Sequence, residues 1–491
     1  MACDAAPLGR AFHGVPKRYA SWMAQHDAVE SESELNSSLY LLLPDRYGNG
    51  SYVGRLGPLM TKWARGEPAS IGIAGASVSA GSGLDQRSDV WHAVLASAID
   101  QIWPHSRNVW TCGAKPATTA AFAALCYDSI LKKPLDLLLV EYSWNTDIGS
   151  EMAALVGTAL GRGTAVMAVD YQHAVRQQAW QSCAMDVSTA RLLHRAAGTT
   201  VDGRACYPGA MFNNPGRVKH WHVFAADTWP FHGFYIPIVS QGHLNSWRKM
   251  GRNESLRIAP QWFIPDGTHP GVKGHMQIAR LLVHALFRAH ERLASVGCDA
   301  SDRAWPRVPA VARGRFCDMG DGLSSLGLET ESEAGWRWGV RSSRGLKKPG
   351  FQTSTPGSVL RLRLNRSDAN VEGMTSSGAD NHRQLFVGFL RSYEGMGTAR
   401  ITCSGGCSCD PIELDGHDAT RQVSLEVVSP PIIVRIADMN SCALQAEALR
   451  ATRSASNTFK ITFLAWAATS DSPFGSTSGL DSSRVGAYMH R

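Results

Sequence analysis

Residues Ser70–Gly81 read SIGIAGASVSAG, an apolar run that stops at Ser77 among small side chains. A short apolar run bounded by turn residues is typical of a parallel strand buried on both faces. Ligands of such sheets bind where the carboxyl ends of the strands meet the following loops. The stretch therefore predicts a buried strand that delivers the hydroxyl of Ser77 to a sharp turn.

A second stretch lies almost two hundred residues later and contains an Asp-x-x-His pair, Asp266 and His269, just before a long helical pattern from about Val272 to Leu293. A serine hydroxyl needs a base within hydrogen-bond reach, and that base needs an acceptor that holds its tautomer. One loop could supply both groups. The alternative is that Asp266 only caps the final helix.

Four blocks of the chain can be compared with a known pattern: Gly75–Gly81, Thr111–Thr119, Leu137–Asn145 and Asp266–Pro270. In this order they resemble the blocks of the SGNH hydrolases, the GDSL esterase/lipase superfamily. The chain departs from that pattern at Ala76, where the family has Asp, and at Ala117, where it has the Gly donor.

The resemblance implies a serine esterase in which Ser77 is the nucleophile, His269 the base and Asp266 the group that orients the base. Ser79 is the rival nucleophile, but Ser77 occupies the motif position directly after the strand. No metal or organic cofactor is implied.

The same resemblance implies an oxyanion hole. Its donors would be the N–H of Ser77, a second N–H from Ala117 or Gly113, and the side chain of Asn145, which ends an apolar strand. A backbone N–H survives the replacement of Gly by Ala.

Strands that alternate with helical patterns, one of them over 117–131, predict a three-layer α/β/α sandwich with a parallel, flavodoxin-like sheet. Several short strand patterns without intervening helices follow and predict a β-sandwich. The run Phe389–Gly397 resembles the β domain that plant and algal relatives carry. The predicted parts are listed here: a lead-in (1–66), a hydrolase domain (67–297), a linker (298–315), a β-sandwich (316–470) and a disordered tail (471–491).

Composition bounds the function. The 491 residues contain 44% hydrophobic and 19% charged side chains, as soluble proteins do. The Lys and Arg residues that give the net charge of +7 are scattered along the sequence rather than grouped in blocks. No nucleic-acid partner is predicted from it, and no apolar run approaches the ~20 residues that span a bilayer. The expected partner is a small-molecule or carbohydrate ester; the oligomeric state stays open.

The cysteines bear on the compartment. Eleven cysteines and four sequons, at Asn36, Asn49, Asn253 and Asn365, favour a secretory lumen or secretion, whereas the absence of a signal peptide favours the cytoplasm. A cluster of four could bind zinc or form disulfides, and disulfides are favoured. These four are Cys403, Cys407, Cys409 and Cys442.

Two other functions stay open. An acyl-enzyme can be resolved by a sugar hydroxyl instead of water, which would make the chain a carbohydrate O-acyltransferase. The replacements at Ala76 and Ala117 would also suit a non-catalytic carbohydrate-binding protein.

Overall fold

A computed structural model describes residues 14–26, 56–103, 108–131, 134–142, 150–171, 232–236, 264, 269–296, 316–326, 335–343, 346–364, 382–419, 424–450, 452–454 and 456–468. They belong to two compact units. The first spans Met1–Pro116, Leu131–Gly149 and Ala159–Pro309, and the second Ala117–Ile130, Ser150–Thr158 and Ala310–Arg491. Residues 117–130 and 150–158 therefore group with the second unit although they lie among the strands of the first in sequence.

The first unit contains a five-stranded sheet in the order β2-β1-β3-β4-β5, with every neighbouring pair parallel. This is the flavodoxin-like order of doubly wound sheets. Its strands are β1 (Ser70–Gly75), β2 (Val109–Cys112), β3 (Leu137–Glu141), β4 (Ala165–Tyr171) and β5 (His232–Ile236).

Both faces of the central strands β1 and β3 are buried. Neighbouring residues of a strand point to opposite faces, yet Leu137, Leu138, Leu139 and Val140 are all fully buried. The continuous apolar runs of β1 and β3 are the sequence form of this two-sided burial. Each such Leu or Ile contributes about 1.5–3 kcal/mol when it leaves water.

The helices in chain order are α1 (Val15–Gln25), α2 (Gly57–Ala64), α3 (Trp91–Ile102), α4 (Ala120–Leu125), α5 (Tyr127–Ile130), α6 (Ser150–Gly161), α7 (Val272–Val296) and α8 (Asp321–Ser325). Four of them, α1, α2, α3 and α7, share one apolar core with the sheet. Representative members of that core are Trp22, Leu59, Leu95, Leu282 and Ile71.

The helix predicted over 117–131 is two short helices. α4 ends at Leu125 and α5 begins at Tyr127, and the residue between them, Cys126, forms a disulfide with Cys317.

The second unit is a β-sandwich of two antiparallel sheets. The larger sheet has the order β12-β15-β10-β17-β8-β7, with β14 also paired to β10 and β6 to β17; the smaller has the order β13-β11-β16-β9. The strands are β6 (Phe316–Met319), β7 (Arg337–Ser343), β8 (Leu346–Thr353), β9 (Val359–Arg363), β10 (His382–Arg391), β11 (Thr398–Ser404), β12 (Cys407–Ser408), β13 (Ile412–Asp415), β14 (Leu425–Val428), β15 (Ile432–Ile436), β16 (Ala443–Ala448) and β17 (Phe459–Ala468).

One core fills the space between these two sheets. Leu362 and Leu444 of the smaller sheet belong to the same buried cluster as Leu385 and Phe459 of the larger. β9 shows the expected alternation, with Leu360 and Leu362 buried between exposed residues. The prediction of a three-layer α/β unit with a parallel sheet, followed by a β-sandwich, is therefore confirmed.

The clustered cysteines are disulfide-bonded. Cys403 pairs with Cys409, and Cys407 pairs with Cys442. The prediction of disulfides rather than zinc is confirmed for these four residues. Three disulfides in the described residues are typical of proteins that fold in an oxidising compartment. Of the helices described, none is long and apolar enough to cross a membrane.

Three histidines of α7 are buried without charge. His275, His284 and His290 are at most 1% exposed. Burial is the main cause that lowers the pKa of His275 to about 3 and the pKa values of His284 and His290 to about 4, from the ordinary 6.5. Each ring nitrogen Nδ1 has a partner: the N–H of Trp91 for His275, the hydroxyl of Tyr19 for His284 and the indole N–H of Trp103 for His290.

The three buried histidines should make the fold less stable in acid. Because their folded pKa values lie below the unfolded value, the unfolded chain binds more protons between about pH 6.5 and pH 4, so stability falls with pH there. Each histidine should contribute a slope of about 1.4 kcal/mol per pH unit. Urea unfolding of His284→Gln between pH 7 and pH 4 should show a shallower fall than the wild-type protein. The exposed His382→Gln is the control and should keep the wild-type slope; a wild-type slope in His284→Gln would contradict the assignment.

Candidate active site

The candidate site lies where the order of the strands in the sheet reverses. β1 is followed in sequence by β2 on one side, whereas β3 lies on its other side and leads to β4 and β5. The crevice outside the carboxyl ends of two such strands is the usual ligand site of an open α/β sheet. Ser77 follows β1 by two residues, and Glu141 is the last residue of β3.

The serine and histidine predicted to react together are in contact. Ser77 Oγ lies 2.8 Å from His269 Nε2, although the two residues are 192 positions apart. Both residues are half-buried. When the neutral imidazole carries its proton on Nδ1, the serine hydroxyl donates to Nε2, the geometry in which a base can take that proton.

One hydrogen bond closes the histidine loop, and one close contact joins that loop to the serine loop. The N–H of Ile264 donates to the carbonyl of His269 at 2.9 Å. Gly83, with φ +84°, lies directly against Ile264, since a Cβ on this glycine would be 2.3 Å from Ile264 Cδ1. Only a glycine tolerates both the left-handed backbone and this approach.

The rival serine faces away from the base. The Ser79 hydroxyl donates to Glu141 Oε2 at 3.0 Å, and the residue is 1% exposed. Ser77 is therefore the residue of this turn whose hydroxyl meets the imidazole.

A buried carboxylate, Glu141, also lies at the site, although the sequence did not mark it as a candidate. It is 1% exposed, and its Oε2 accepts from the N–H groups of Ala76 and Ser79, each at 3.2 Å, as well as from the Ser79 hydroxyl. Its carbonyl also accepts from the N–H of Ala76 at 3.1 Å. The available signal was a charged residue at the end of an otherwise apolar strand, since carboxylates are rarely buried without partners.

The backbone distinguishes the two candidate oxyanion donors. The N–H of Gly113 donates to the carbonyl of Ile73 at 2.8 Å and so belongs to the sheet. Within the described part of the chain, the N–H groups of Ser77 and Ala117 donate to no acceptor. The N–H of Gly113 is therefore already engaged within the sheet.

Ala117 has an unusual backbone. Its φ of 65° is the one positive φ of a non-glycine residue in the described ranges. A left-handed conformation costs a residue with a Cβ roughly 1–2 kcal/mol, and such strain clusters at functional sites. The carbonyl of Ala117 accepts from the N–H of Glu426 at 2.6 Å, which fixes the orientation of that peptide. A glycine at this position would adopt the same φ without strain.

Two histidines beside the site have lowered pKa values. Burial, with smaller effects of His92 and His269, lowers the pKa of His275 to about 3. Burial is also the main cause that lowers the pKa of His92, whose Nε2 lies 2.9 Å from the carbonyl of Ser79. In both rings burial disfavours the charged form.

Two predicted site residues, Asp266 and Asn145, lie outside the described residues. Among the residues that the structure describes, no group of three His, Cys, Asp or Glu side chains could hold a metal ion.

No protein-family model matches the chain, and neither does any curated protein sequence. A two-domain esterase active on acetylated mannans is similar over 84% of this chain and 95% of its own, with 13% identity and a TM-score of 0.49. A protein described as a GDSL-like lipase from Parabacteroides merdae matches 45% of this chain and 95% of its own, with 14% identity and a TM-score of 0.28. The CBM36-1 domain of a multidomain xylanase from the hindgut metagenome of Trinervitermes trinervoides matches 31% of this chain and 97% of its own, with 7% identity and a TM-score of 0.19.

The contact between Ser77 and His269 predicts which serine a fluorophosphonate modifies. Ser77→Ala should lose labelling and about 10^6-fold in kcat, because no other hydroxyl of the turn meets the base. Ser79→Ala should still be labelled, at Ser77. Intact-mass measurement and peptide mapping check both variants; a label on Ser79, or equal labelling of Ser77→Ala, would contradict the assignment.

Proposed function

We propose that the chain is a serine esterase that cleaves acyl esters through an acyl-enzyme. The observation that carries this proposal is the 2.8 Å contact between Ser77 Oγ and His269 Nε2 at the carboxyl edge of the parallel sheet. The order of the four sequence blocks, which resembles that of the SGNH hydrolases, supports it as well.

The first half of the reaction forms the acyl-enzyme. Ser77 Oγ attacks the carbonyl carbon of the ester while its proton passes to Nε2 of His269. The tetrahedral intermediate then breaks its bond to the alcohol oxygen, which takes the proton from Nε2. In the second half, water attacks the acyl group, gives a proton to Nε2 and releases the acid, and Ser77 recovers its proton.

The oxyanion would be stabilised by the N–H groups of Ser77 and Ala117 together with the side-chain amide of Asn145. Both backbone groups are without acceptors in the described residues, as donors awaiting a developing negative charge must be. Removing one donor from such a hole typically costs about 2.7–4 kcal/mol of transition-state stabilisation.

Asp266 would accept from Nδ1–H of His269, hold the reactive tautomer and stabilise the imidazolium. This chemistry needs no metal or organic cofactor, because the histidine handles both proton transfers.

The proposed substrate is an O-acetyl or other O-acyl group on a carbohydrate, and the proposed compartment is secretory or extracellular. The three disulfides support the compartment. The appended β-sandwich supports the substrate class by analogy with other carbohydrate-active enzymes, which is an argument from fold alone.

An aryl acetate assay with and without a sugar acceptor tests the reaction class. Purified full-length protein should release aryl alcohol and acetate in equal amounts, and acetylated polysaccharides such as acetylated mannan should release acetate. Ser77→Ala is the matched control. Acetyl transfer to the sugar would replace esterase with acyltransferase, and absence of turnover together with absence of fluorophosphonate labelling would refute the proposal.

Replacing the predicted acid should change both the rate and its pH dependence. Asp266→Asn should lower the plateau of kcat/KM by about 10^4-fold, because the reactive tautomer is no longer enforced. The acid limb should move to lower pH, since the imidazolium loses its carboxylate partner. Kinetics from pH 4 to 9 measure both effects, with the exposed Asp410→Asn as control. A wild-type plateau in Asp266→Asn would mean that this residue only caps α7.

A further inference from the structure

We propose that Glu141 is the positioning residue of the nucleophile turn: its buried carboxylate holds residues 75–79 so that Ser77 presents its hydroxyl to His269 and its N–H to the oxyanion. The inference rests on the proposed esterase function. The geometry of the turn after β1 is then set by a side chain of the neighbouring strand, β3.

The hydrogen bonds of Oε2 involve residues on both sides of Ser77 in the sequence and do not include Ser77 itself. Oε2 accepts from the N–H of Ala76 on one side of the serine and from the N–H and hydroxyl of Ser79 on the other. All three partners are donors, which suits an ionised carboxylate because it only accepts. The residues before and after Ser77 are thereby tied to one oxygen atom.

The turn is built to admit this contact. A Cβ on Gly75 would lie 2.3 Å from Ser79 Oγ and 2.6 Å from Ser79 Cβ. Gly75 therefore leaves the space through which the Ser79 side chain reaches Glu141. The register of the sheet places Gly75 opposite Glu141, so the carboxylate starts at the same level as the turn.

Two further hydrogen bonds close the turn and leave the reacting groups free. The N–H of Ala80 donates to the carbonyl of Ala76 at 2.9 Å, and the N–H of Ser82 donates to the carbonyl of Ser77 at 2.9 Å. In the described ranges the Ser77 N–H has no acceptor. Without Glu141, the N–H of Ser79 and the neighbouring hydroxyl would need new acceptors, and a shift of the turn would misalign both the Ser77 hydroxyl and its N–H.

A comparison of Glu141→Leu with Glu141→Gln separates this role from others. Leucine has a similar size and accepts no hydrogen bond, so Glu141→Leu should lower kcat and the rate constant of fluorophosphonate labelling by about 10²–10³-fold with little change in KM. Glutamine retains one acceptor oxygen, so Glu141→Gln should stay within about 10-fold of the wild-type kcat and keep its acid limb. Ser79→Ala, which removes one donor of the three, should also stay within about 10-fold.

The labelling experiment distinguishes positioning from folding. If Glu141 only stabilised the fold, Glu141→Leu would reduce the fraction of protein that is labelled and leave the rate constant of the labelled fraction unchanged, which would overturn the proposal. Wild-type kcat in Glu141→Leu would overturn it too. A Glu141→Gln variant as slow as Glu141→Leu, with a displaced acid limb, would make Glu141 a catalytic acid instead.

Hydrogen exchange provides a readout without activity. Amides in a peptide covering residues 76–79 should exchange faster in Glu141→Leu than in the wild-type protein and in Glu141→Gln. If the wild-type protein neither turns over esters nor labels, the proposed function fails, and this exchange pattern still reports whether the carboxylate holds the turn. Unchanged exchange in Glu141→Leu overturns the positioning role.

Discussion

The pairing of β1 with β3 is the constraint on which the site depends. Its register sets Ile71 opposite Leu137 and Gly75 opposite Glu141, so both strands end at one level. The nucleophile turn thus leaves the sheet beside a buried carboxylate that accepts three of its donors. A slip of one residue would turn the apolar side chains of β3 to the opposite faces and remove the carboxylate from the turn. Fold stability and site geometry therefore rest on the same hydrogen-bonded ladder.

Burial keeps the three histidines of α7 uncharged at neutral pH. α7 follows the His269 loop directly and buries three histidines in neutral form. The one nearest the site, His275, accepts from the first N–H of α3 and adds no positive charge beside His269. The same burial makes the unit labile to acid, because each buried histidine takes up a proton when the chain unfolds below about pH 6.5.

The β-sandwich is held by a core between two sheets and by two disulfides at its β12 end. The unit also includes α4 and α5, which lie between β2 and β3 in sequence and are bonded through Cys126 to Cys317 of β6. The carbonyl of Ala117, three residues before α4 begins, accepts from the N–H of Glu426 in β14. Within the second unit, this hydrogen bond fixes the orientation of the Ala117 peptide.

The sequence by itself determined the fold class, because continuous apolar strands alternating with helical patterns allow few architectures other than a covered parallel sheet. It also predicted the proximity of Ser77 and His269, since each stands in a distinctive local block. The roles of these two residues, of Asp266 and of Asn145 remain predictions from such blocks. Only the tertiary structure shows that Ser77 rather than Ser79 contacts His269 and that the N–H of Gly113 belongs to the sheet, because the direction of a hydroxyl and the use of an N–H depend on neighbours distant in sequence. The break at Cys126 and the hydrogen bonds of Glu141 were decided there too. A disulfide partner 191 residues away and a carboxylate on an adjacent strand leave no periodic signal in the segments that they shape.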